Sequence, residues 1–194
     1  MSLTDRRKEK LERVASLRQP DLTVVIENVH DPHNVSAILR TCDAVGVQEV
    51  QLLYTREELP KLGKKSSASA VKWVDRRKFK SVDVCVETLK GEGFAVCATR
   101  VGEGARSLYD LDLTRPTAIV VGNEHRGVSD EMVGQADQVF EIPMFGMIQS
   151  LNVSVACAVI LFEAMRQRAA SGGYRAAKLD AGATVALIKR WSKK

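Results

Sequence analysis

Three runs of β-branched and other apolar residues constrain the fold most strongly. They occupy residues 22–27, 94–99 and 117–122, and each is almost continuously apolar rather than alternating. Strands of this type are buried on both faces, which happens when helices cover both sides of a parallel sheet. Helical patterns separate the runs along the chain, as in repeated strand–helix units. We therefore predict an α/β fold with a mostly parallel sheet and helices on both faces.

The size and composition of the chain limit the classes of protein to which it can belong. Its 194 residues, 45% of them hydrophobic, suffice for one domain with its own core. The longest apolar run falls far short of the roughly 20 residues that span a bilayer, and no secretion signal is recognisable, so we expect no membrane partner and a cytoplasmic location. Four scattered cysteines and three histidines form no zinc motif, which predicts reduced thiols and no metal site.

The net charge of +5 is unevenly distributed along the chain. Residues 1–18 carry +3 and residues 164–194 carry +7, so the middle of the chain carries −5. Basic ends on an acidic body are typical of a protein that neutralises the phosphates of a nucleic acid. The alternative is that both ends form solvated basic helices without a partner.

Three polar loops follow apolar strands, at residues 28–40, 122–129 and 143–152. Ligands bind at the carboxyl ends of the strands in open α/β sheets, so these loops are the candidate site. Each of their polar residues also has a purely structural interpretation, as a helix cap or a surface group. The dinucleotide-binding and hydrolase motifs are missing, so spacing alone does not identify the reaction. The residues concerned are Asn34, Arg40, Glu124, Ser150 and Asn152.

The third loop leads into an apolar helix, and its polar residues have two possible roles. Pro143 and Gly146 interrupt regular structure, and the run that follows from Ser154 is apolar nearly all round, which predicts a buried helix. Ser150 and Asn152 stand at the start of that helix, where they either cap it or face a ligand. Both roles are compatible, because one side chain can cap while the other points outward.

The same loops resemble the three motifs of a known enzyme family. The pattern Asn34-x5-Arg40 comes first, IVVGNEHRGVS follows at residues 119–129, and IPM-x-G-x3-SLNVS-x-A occupies residues 142–156. These motifs are similar to those of the SpoU branch of the SPOUT RNA methyltransferases, and the resemblance spans roughly residues 20–168. Within that branch, residues 18–46 are most similar to the TrmH group, which methylates guanosine 18 in the D-loop of tRNA.

The resemblance implies a fold, a cofactor and an assembly. The fold is a six-stranded α/β domain whose carboxyl-terminal third forms a deep trefoil knot, and the protein is a homodimer. The methyl donor is S-adenosyl-L-methionine, bound by backbone groups of the knot loops, and the substrate is tRNA. On this basis we divide the chain into a basic helical extension (residues 1–19), a methyltransferase domain (20–168) and a second basic helical extension (169–194).

The resemblance also assigns site residues, position by position. The catalytic positions are Asn34, Arg40, Glu124, Ser150 and Asn152. The cofactor-binding positions are Thr99, Gly122, Ile142, Met144 and Leu151. We expect RNA contacts from His33, Arg166, Arg168 and Arg175. In the family, the counterpart of Arg40 is proposed to help deprotonate the ribose hydroxyl. A guanidinium keeps its proton up to a pKa above about 12, so an alternative role is to clamp a phosphate and stabilise the developing alkoxide.

We therefore expect transfer of a methyl group from S-adenosylmethionine to the ribose 2′-hydroxyl of a tRNA guanosine, at position 18. One alternative is a relative that acts on ribosomal RNA or at another tRNA position. Relatives of the ribosomal type often carry an extra N-terminal RNA-binding domain, whereas the first apolar strand here begins at residue 22. The other alternative is an RNA-binding protein without catalysis, against which the intact set of five motif residues argues.

Overall fold

The computed structural model describes residues 4–60 and 70–193, which form an α/β fold. Strands and helices alternate along most of this part of the chain. Its helices are α1 (Asp5–Ser16), α2 (Pro32–Val45), α3 (Ala70–Trp73), α4 (Val82–Gly91), α5 (Asp130–Gln135), α6 (Val153–Ala170) and α7 (Ala181–Ser192). Its strands are β1 (Leu22–Glu27), β2 (Glu49–Leu53), β3 (Asp75–Phe79), β4 (Ala95–Thr99), β5 (Arg106–Ser107), β6 (Thr117–Val121) and β7 (Gln138–Glu141).

The strands form one parallel sheet in the order β3-β2-β1-β6-β4-β7-β5. The predicted parallel sheet is confirmed, but the predicted number of six strands is wrong, because the described residues form seven. The additional strand is β5 at the edge, where Ser107 pairs with Glu141 of β7. Two residues are too few to show a hydrophobic pattern, so the sequence gives no signal for this strand. The strand order reverses between β1 and β6, which is where ligands bind in open α/β sheets.

Helices cover both faces of the sheet, and each face has its own apolar core. On one face, α2 and α6 pack over Val24 and Ile26 of β1 and Ile119 of β6. On the other face, α4 and α5 pack over Val25 of β1 and Val120 of β6. Successive side chains of these central strands are therefore buried on opposite faces, which is why their sequences are almost continuously apolar.

The helix α2 begins and ends at residues that are suited to capping. Asp31 accepts a hydrogen bond from the backbone N–H of His33 at 2.8 Å, and Pro32 occupies the first turn, where its missing N–H costs no helical hydrogen bond. At the other end, Gly46 adopts a left-handed φ of 87°, a conformation that favours glycine. Asn34 is therefore not the cap of this helix, and its side chain reaches other loops.

The long helix α6 is capped by Asn152, whose side-chain oxygen accepts hydrogen bonds from the backbone N–H groups of Ser154 at 2.9 Å and Val155 at 3.4 Å. The capping interpretation of Asn152 is therefore confirmed. One side of the helix, including Ile160, lies in the core. Val155 and Phe162 are 49% and 48% exposed, so the predicted burial of the whole helix holds for only part of its surface in a single chain.

The two basic ends of the chain pack against each other. Leu11 of α1 shares a small apolar cluster with Leu187 and Trp191 of α7. The guanidinium of Arg18 is fully buried, lies 4.9 Å from the ring of Trp191, and forms an ion pair of 2.5 Å with Asp43 of α2. A cation over an indole face gains electrostatic as well as packing energy. The last helix, which matches no family motif, is thus attached to both α1 and α2.

Arg168, near the carboxyl end of α6, lies in the interior rather than at the surface. Its side chain donates to the carboxylate of Asp21 at 2.6 Å and to the side chain of Gln19 at 3.2 Å. Its remaining N–H groups donate to the backbone carbonyls of Asp21, Leu113 and Arg115 at 3.0, 2.9 and 2.7 Å. The expectation that Arg168 contacts RNA is therefore wrong, because its five N–H donors are all used inside the protein.

In the described part of the chain, no helix is long and apolar enough to cross a membrane. The four cysteines are all buried free thiols. Burial raises the pKa of Cys97 to about 11 and that of Cys157 to about 12, so these thiols stay protonated at neutral pH. Among the residues of known position, no group of three His, Cys, Asp or Glu side chains is placed to hold a metal ion.

Candidate active site

A cleft of about 1070 Å³ opens at the carboxyl ends of β4, β6 and β7. It is lined by all of residues 122–129 and by several residues of the segment 142–152. These are two of the three polar loops that follow apolar strands in the sequence. The five positions assigned to the cofactor all line this one cleft: Thr99, Gly122, Ile142, Met144 and Leu151.

The first wall of the cleft, residues 122–129, is built on a tight turn. Asn123 and Gly127 pair across the turn through two backbone hydrogen bonds of 3.0 and 2.8 Å. The side-chain oxygen of Asn123 accepts two further backbone N–H groups within the turn. The backbone of Gly127 approaches Gly122 so closely that a Cβ at position 122 would lie only 2.2 Å from it. Position 122 therefore requires glycine, and the cleft has no side chain at this point.

The second wall, residues 144–151, has a backbone that forms no hydrogen bond with other described parts of the chain. Met144, Gln149, Ser150 and Leu151 of this segment line the cleft. Backbone N–H and C=O groups are strong hydrogen-bonding groups that need partners. Residues 145–150 are exposed, so these donors and acceptors face solvent and are accessible to a ligand with polar edges in the cleft.

A chain of hydrogen bonds joins all three polar loops. Asn152 donates from its amide to the side-chain oxygen of Asn34 at 3.0 Å, and Asn34 donates to the carboxylate of Glu124 at 2.9 Å. Glu124 also accepts the backbone N–H groups of His30 at 3.0 Å and Asp31 at 3.1 Å. The side-chain oxygen of Asn152 therefore caps α6 while its amide group donates to Asn34, and its contact with a ligand stays a prediction.

The carboxylate of Glu124 is held in its ionised form. Burial acts to raise its pKa, but the hydrogen bonds from Asn34 and from backbone N–H groups outweigh burial, so the pKa of Glu124 lies below its ordinary value. Both carboxylate oxygens accept hydrogen bonds from these donors. A carboxylate in this state is a poor proton acceptor at neutral pH, so its contribution is to hold the loops together.

Residues 21–162 match the model of the SpoU rRNA Methylase family. This range includes all three polar loops and most of the chain. The chain belongs to the SpoU methylase family.

Individual relatives extend this likeness to the ends of the chain. The tRNA (guanosine(18)-2′-O)-methyltransferase of Thermus thermophilus is 47% identical over 191 residues, which are 98% of each chain. A crystal structure of the A. aeolicus TrmH/SpoU tRNA modifying enzyme has a TM-score of 0.91 at 39% identity, over 97% of this chain and 96% of that one. The SpoU methyltransferase AviRb from Streptomyces viridochromogenes, in complex with AdoMet, has a TM-score of 0.70 at 28% identity, over 79% of this chain and 62% of that one.

In this SpoU methylase the residues assigned to catalysis occupy two places. Glu124, Ser150 and Asn152 line the cleft, and Asn34 is hydrogen-bonded to two of them. Arg40 is exposed on α2, six residues after Asn34, and it does not line the cleft. The structure of one chain therefore brings four of the five residues together.

The residues assigned to RNA binding differ in exposure. His33 and Arg175 are exposed, and the side chain of Arg166 is 68% exposed although it pairs with Glu163 at 2.8 Å. Arg168 is buried, as described above. Sequence reasoning missed two residues that fix the walls of the cleft, Glu27 and Asn28. The available signal was a pair of polar residues at the carboxyl end of an apolar strand, Glu27 as its last residue and Asn28 directly after it.

Proposed function

We propose that this SpoU methylase transfers a methyl group from S-adenosylmethionine to the ribose 2′-hydroxyl of guanosine 18 in tRNA. The observation that carries the proposal is the likeness to the T. thermophilus enzyme of that name, because it extends over 98% of each chain at 47% identity. The hydrogen-bonded unit of Glu124, Asn34 and Asn152 at the cleft supports a catalytic role over RNA binding alone.

The cleft suits S-adenosylmethionine in size and in the groups it offers. Its volume of about 1070 Å³ lies just above the usual range of roughly 300–1,000 Å³ for small-molecule sites, so the cofactor would fit with room to spare. The position of Gly122 is free of a side chain, and the wall 144–151 offers unpaired N–H and C=O groups. We assign contacts to Thr99, Gly122, Ile142, Met144 and Leu151, which line the cleft together. When bound, the cofactor supplies a methyl group carried on a positively charged sulfur.

Methyl transfer requires an in-line approach of the ribose oxygen, so positioning is the main task of the protein. We assign to Arg40 the binding of a phosphate next to the target ribose and the stabilisation of negative charge on the 2′-oxygen, while a separate acceptor on the substrate or in the solvent takes the hydroxyl proton. A guanidinium suits this role because it keeps its proton and offers a planar fork of donors. We assign to Ser150, which is exposed at the cleft, a contact with the ribose, and to Glu124 the orientation of Asn34 and, through it, of Asn152.

The substitution Asn152→Asp separates capping from function. The aspartate oxygen still accepts the N–H groups of Ser154 and Val155, and its charge is favourable at a helix N-terminus, so we expect the melting temperature to stay near that of the wild type. The donor to Asn34 is lost, so we expect kcat to fall by about 10²-fold, the size seen when one positioned group is removed. Paired measurements of thermal unfolding and tRNA methylation test this. A variant of normal activity would restrict Asn152 to capping.

We propose that tRNA lies along the basic ends of the chain. Arg166 and Arg175 are exposed there, and lysines and arginines that contact phosphates release counterions on binding. For each of Arg166→Ala and Arg175→Ala, we expect weaker tRNA binding and a slope of log K against log salt that is shallower by about 0.7–0.9. Fluorescence anisotropy at several salt concentrations measures this, with cofactor affinity as the control. Unchanged salt slopes would place the RNA elsewhere.

We further propose that two copies form a homodimer through the exposed side of α6 and the neighbouring loop. Val155 and Phe162 are about half exposed, and Phe145 and Met147 are 99% and 100% exposed, which leaves an apolar surface to cover. In such a dimer the partner chain would also lie near Arg40, because α2 is adjacent to α6. Size-exclusion chromatography with light scattering tests this assembly.

A trefoil knot in the carboxyl-terminal third is part of the same proposal. It is supported by the strand order, since the chain passes from the edge strand β5 back to β6 at the centre and out again to β7. The division into residues 1–19, 20–168 and 169–194 also stays a proposal. The cytoplasm is proposed as the location because the relatives named above act on tRNA.

The decisive experiment maps ribose methylation on a tRNA transcript incubated with the protein and S-adenosylmethionine. We expect one new 2′-O-methylguanosine, at position 18, and none on a transcript with adenosine at that position. Methylation of ribosomal RNA or of another tRNA nucleotide would support ribose 2′-O-methylation as the reaction but contradict guanosine 18 of tRNA as the substrate. Absence of any transfer, with tRNA bound, would favour an RNA-binding protein without catalysis.

A further inference from the structure

Two adjacent residues at the end of β1 hold both ends of the first cleft wall. Glu27, the last residue of β1, is only 1% exposed, and its two carboxylate oxygens accept the backbone N–H of Ser129 at 2.9 Å and its hydroxyl at 2.6 Å. The backbone carbonyl of Asn28 accepts the side-chain amide of Asn123 at 2.8 Å. Asn123 and Ser129 stand near the two ends of residues 122–129, all of which line the cleft.

The side chain of Asn28 holds a second segment at the cleft. Its oxygen accepts the backbone N–H groups of three consecutive residues, Thr55, Arg56 and Glu57, at 3.0, 3.1 and 3.2 Å. Arg56 lines the cleft. Asn28 has a φ of 50°, in the left-handed region that asparagine tolerates better than most residues. Its type therefore satisfies both the backbone conformation and the three donors.

An ion pair also joins the first wall, residues 122–129, to residues 55–57 without involving Asn28. Arg126 of the first wall lies 2.5 Å from the carboxylate of Glu57. An exposed pair of this kind contributes little stability by itself. Here, however, it closes a ring that runs from Asn28 to Asn123, through the turn to Arg126, and back through Glu57 to Asn28. The position of one segment thus depends on that of the other.

We propose that Glu27 and Asn28 form a positioning clamp that holds the cleft open and ordered for S-adenosylmethionine before the cofactor binds. The identity of that ligand rests on the proposed function. A wall already fixed in its bound position loses little conformational entropy on binding, whereas a loose wall must be ordered at the expense of affinity. The effect of the clamp therefore falls on the KM and dissociation constant of the cofactor, and the KM of tRNA stays unchanged.

Four substitutions test the clamp, with a conservative change at each position. Glu27→Ala removes two charge-assisted hydrogen bonds, and Glu27→Gln keeps a side chain of the same shape without the charge. Asn28→Gly keeps the left-handed backbone and the carbonyl but removes the acceptor of three N–H groups, and Asn28→Asp restores that acceptor. We expect the dissociation constant of S-adenosylmethionine, from calorimetry without RNA, to rise about 10- to 100-fold in Glu27→Ala and about tenfold in Asn28→Gly. Asn28→Asp recovers most of the affinity, whereas Glu27→Gln stays several-fold weaker than the wild type because it lacks the charge.

Hydrogen exchange of the unliganded protein gives a second readout that does not depend on activity. We expect Asn28→Gly to accelerate exchange in peptides containing residues 55–57, and Glu27→Ala to do so in peptides containing Ser129. The matched control is Thr23→Val, which removes buried hydrogen bonds of a β1 side chain at the other end of the strand, away from the cleft. Thr23→Val lowers stability without changing exchange at either segment or the cofactor affinity.

The outcomes separate the clamp from the proposed function. Unchanged cofactor affinity and unchanged local exchange in Glu27→Ala and Asn28→Gly would overturn the clamp, and so would a loss of affinity of the same size in Thr23→Val. If Glu27→Ala does not fold, Glu27→Gln decides the point, because a several-fold weaker cofactor affinity is still expected from the lost charge. Wild-type protein that binds S-adenosylmethionine but never methylates tRNA would refute the proposed function and leave the binding test of the clamp intact.

Discussion

Replacing Arg168 by alanine is expected to lower the free energy of unfolding by about 3–5 kcal/mol, the usual cost of breaking a buried ion pair by removing one partner. The guanidinium makes five hydrogen bonds, and its removal leaves three backbone carbonyls, the side chain of Gln19 and the carboxylate of Asp21 without this donor. For a chain of this size the melting temperature should fall by roughly 6–20 °C. Thermal unfolding followed by circular dichroism measures the effect.

Arg166 provides the matched control for Arg168, because it is an arginine of the same helix only two residues away. Its side chain is 68% exposed, so Arg166→Ala should leave the melting temperature close to that of the wild type. Arg168→Lys should recover little stability, since one ammonium cannot replace five N–H groups in a planar fork. A normal melting temperature for Arg168→Ala, together with weakened tRNA binding, would return Arg168 to the RNA-binding surface.

The Arg168→Ala effect should depend on pH through Asp21. Burial raises the pKa of Asp21, but the contacts with Lys178 and Arg168 outweigh burial and hold it below the ordinary value of 3.8. A carboxyl group with a lowered folded-state pKa contributes stability above its unfolded pKa and loses that contribution as the pH falls through the folded value. The difference in stability between wild type and Arg168→Ala should therefore shrink as the pH falls below 3.8. A difference that grows in acid would exclude this ion pair as the cause.

Replacing Arg40 by alanine is expected to reduce kcat by about 10³-fold while the protein still binds S-adenosylmethionine with normal affinity. Arg40 is exposed on α2 and does not line the cleft, so its loss changes neither the core nor the cofactor wall. Its assigned role is to fix a phosphate and stabilise charge on the ribose oxygen, which concerns only the RNA. Single-turnover methylation of tRNA, with calorimetry of the cofactor alongside, tests the separation.

Two further variants define what Arg40 contributes. Arg40→Lys should stay closer to the alanine variant than to the wild type, because a point charge does not reproduce bidentate binding of a phosphate. Arg76→Ala, which removes an exposed arginine of β3, serves as the control for loss of surface charge. Near-normal turnover by Arg40→Ala would remove Arg40 from the reaction, and full recovery by lysine would reduce its role to charge alone.

Sequence patterns carried most of the information about the sheet and the cleft. A strand buried on both faces must be apolar at nearly every position, so the central strands β1, β4 and β6 were recognisable without any partner in view. The cleft residues were recognisable for a related reason, because loops at the carboxyl ends of parallel strands lie at one edge. The two-residue strand β5 gave no such pattern, since pairing with β7 rather than composition defines it.

Arg166 and Arg168 show what a linear pattern could not decide. Two residues of a helix that are two positions apart point in nearly opposite directions, so one can be buried while the other is exposed. An amphipathic helix reveals its buried face by its period, but α6 is apolar nearly all round and has no such period. The partners of Arg168, Asp21 and Gln19, are far away along the chain and meet it only in the folded protein.

The sequence by itself therefore determined the α/β class, the family and four of the five motif residues that meet at the cleft, because each depends on local pattern or on motifs that stay contiguous. Only the tertiary structure decided which polar groups are internal and what they hold. Glu27 and Ser129 are 102 residues apart in the sequence, and Asp21 and Arg168 are 147 residues apart. Whether such a pair meets depends on how helices and strands pack across the whole fold, and no local preference encodes that.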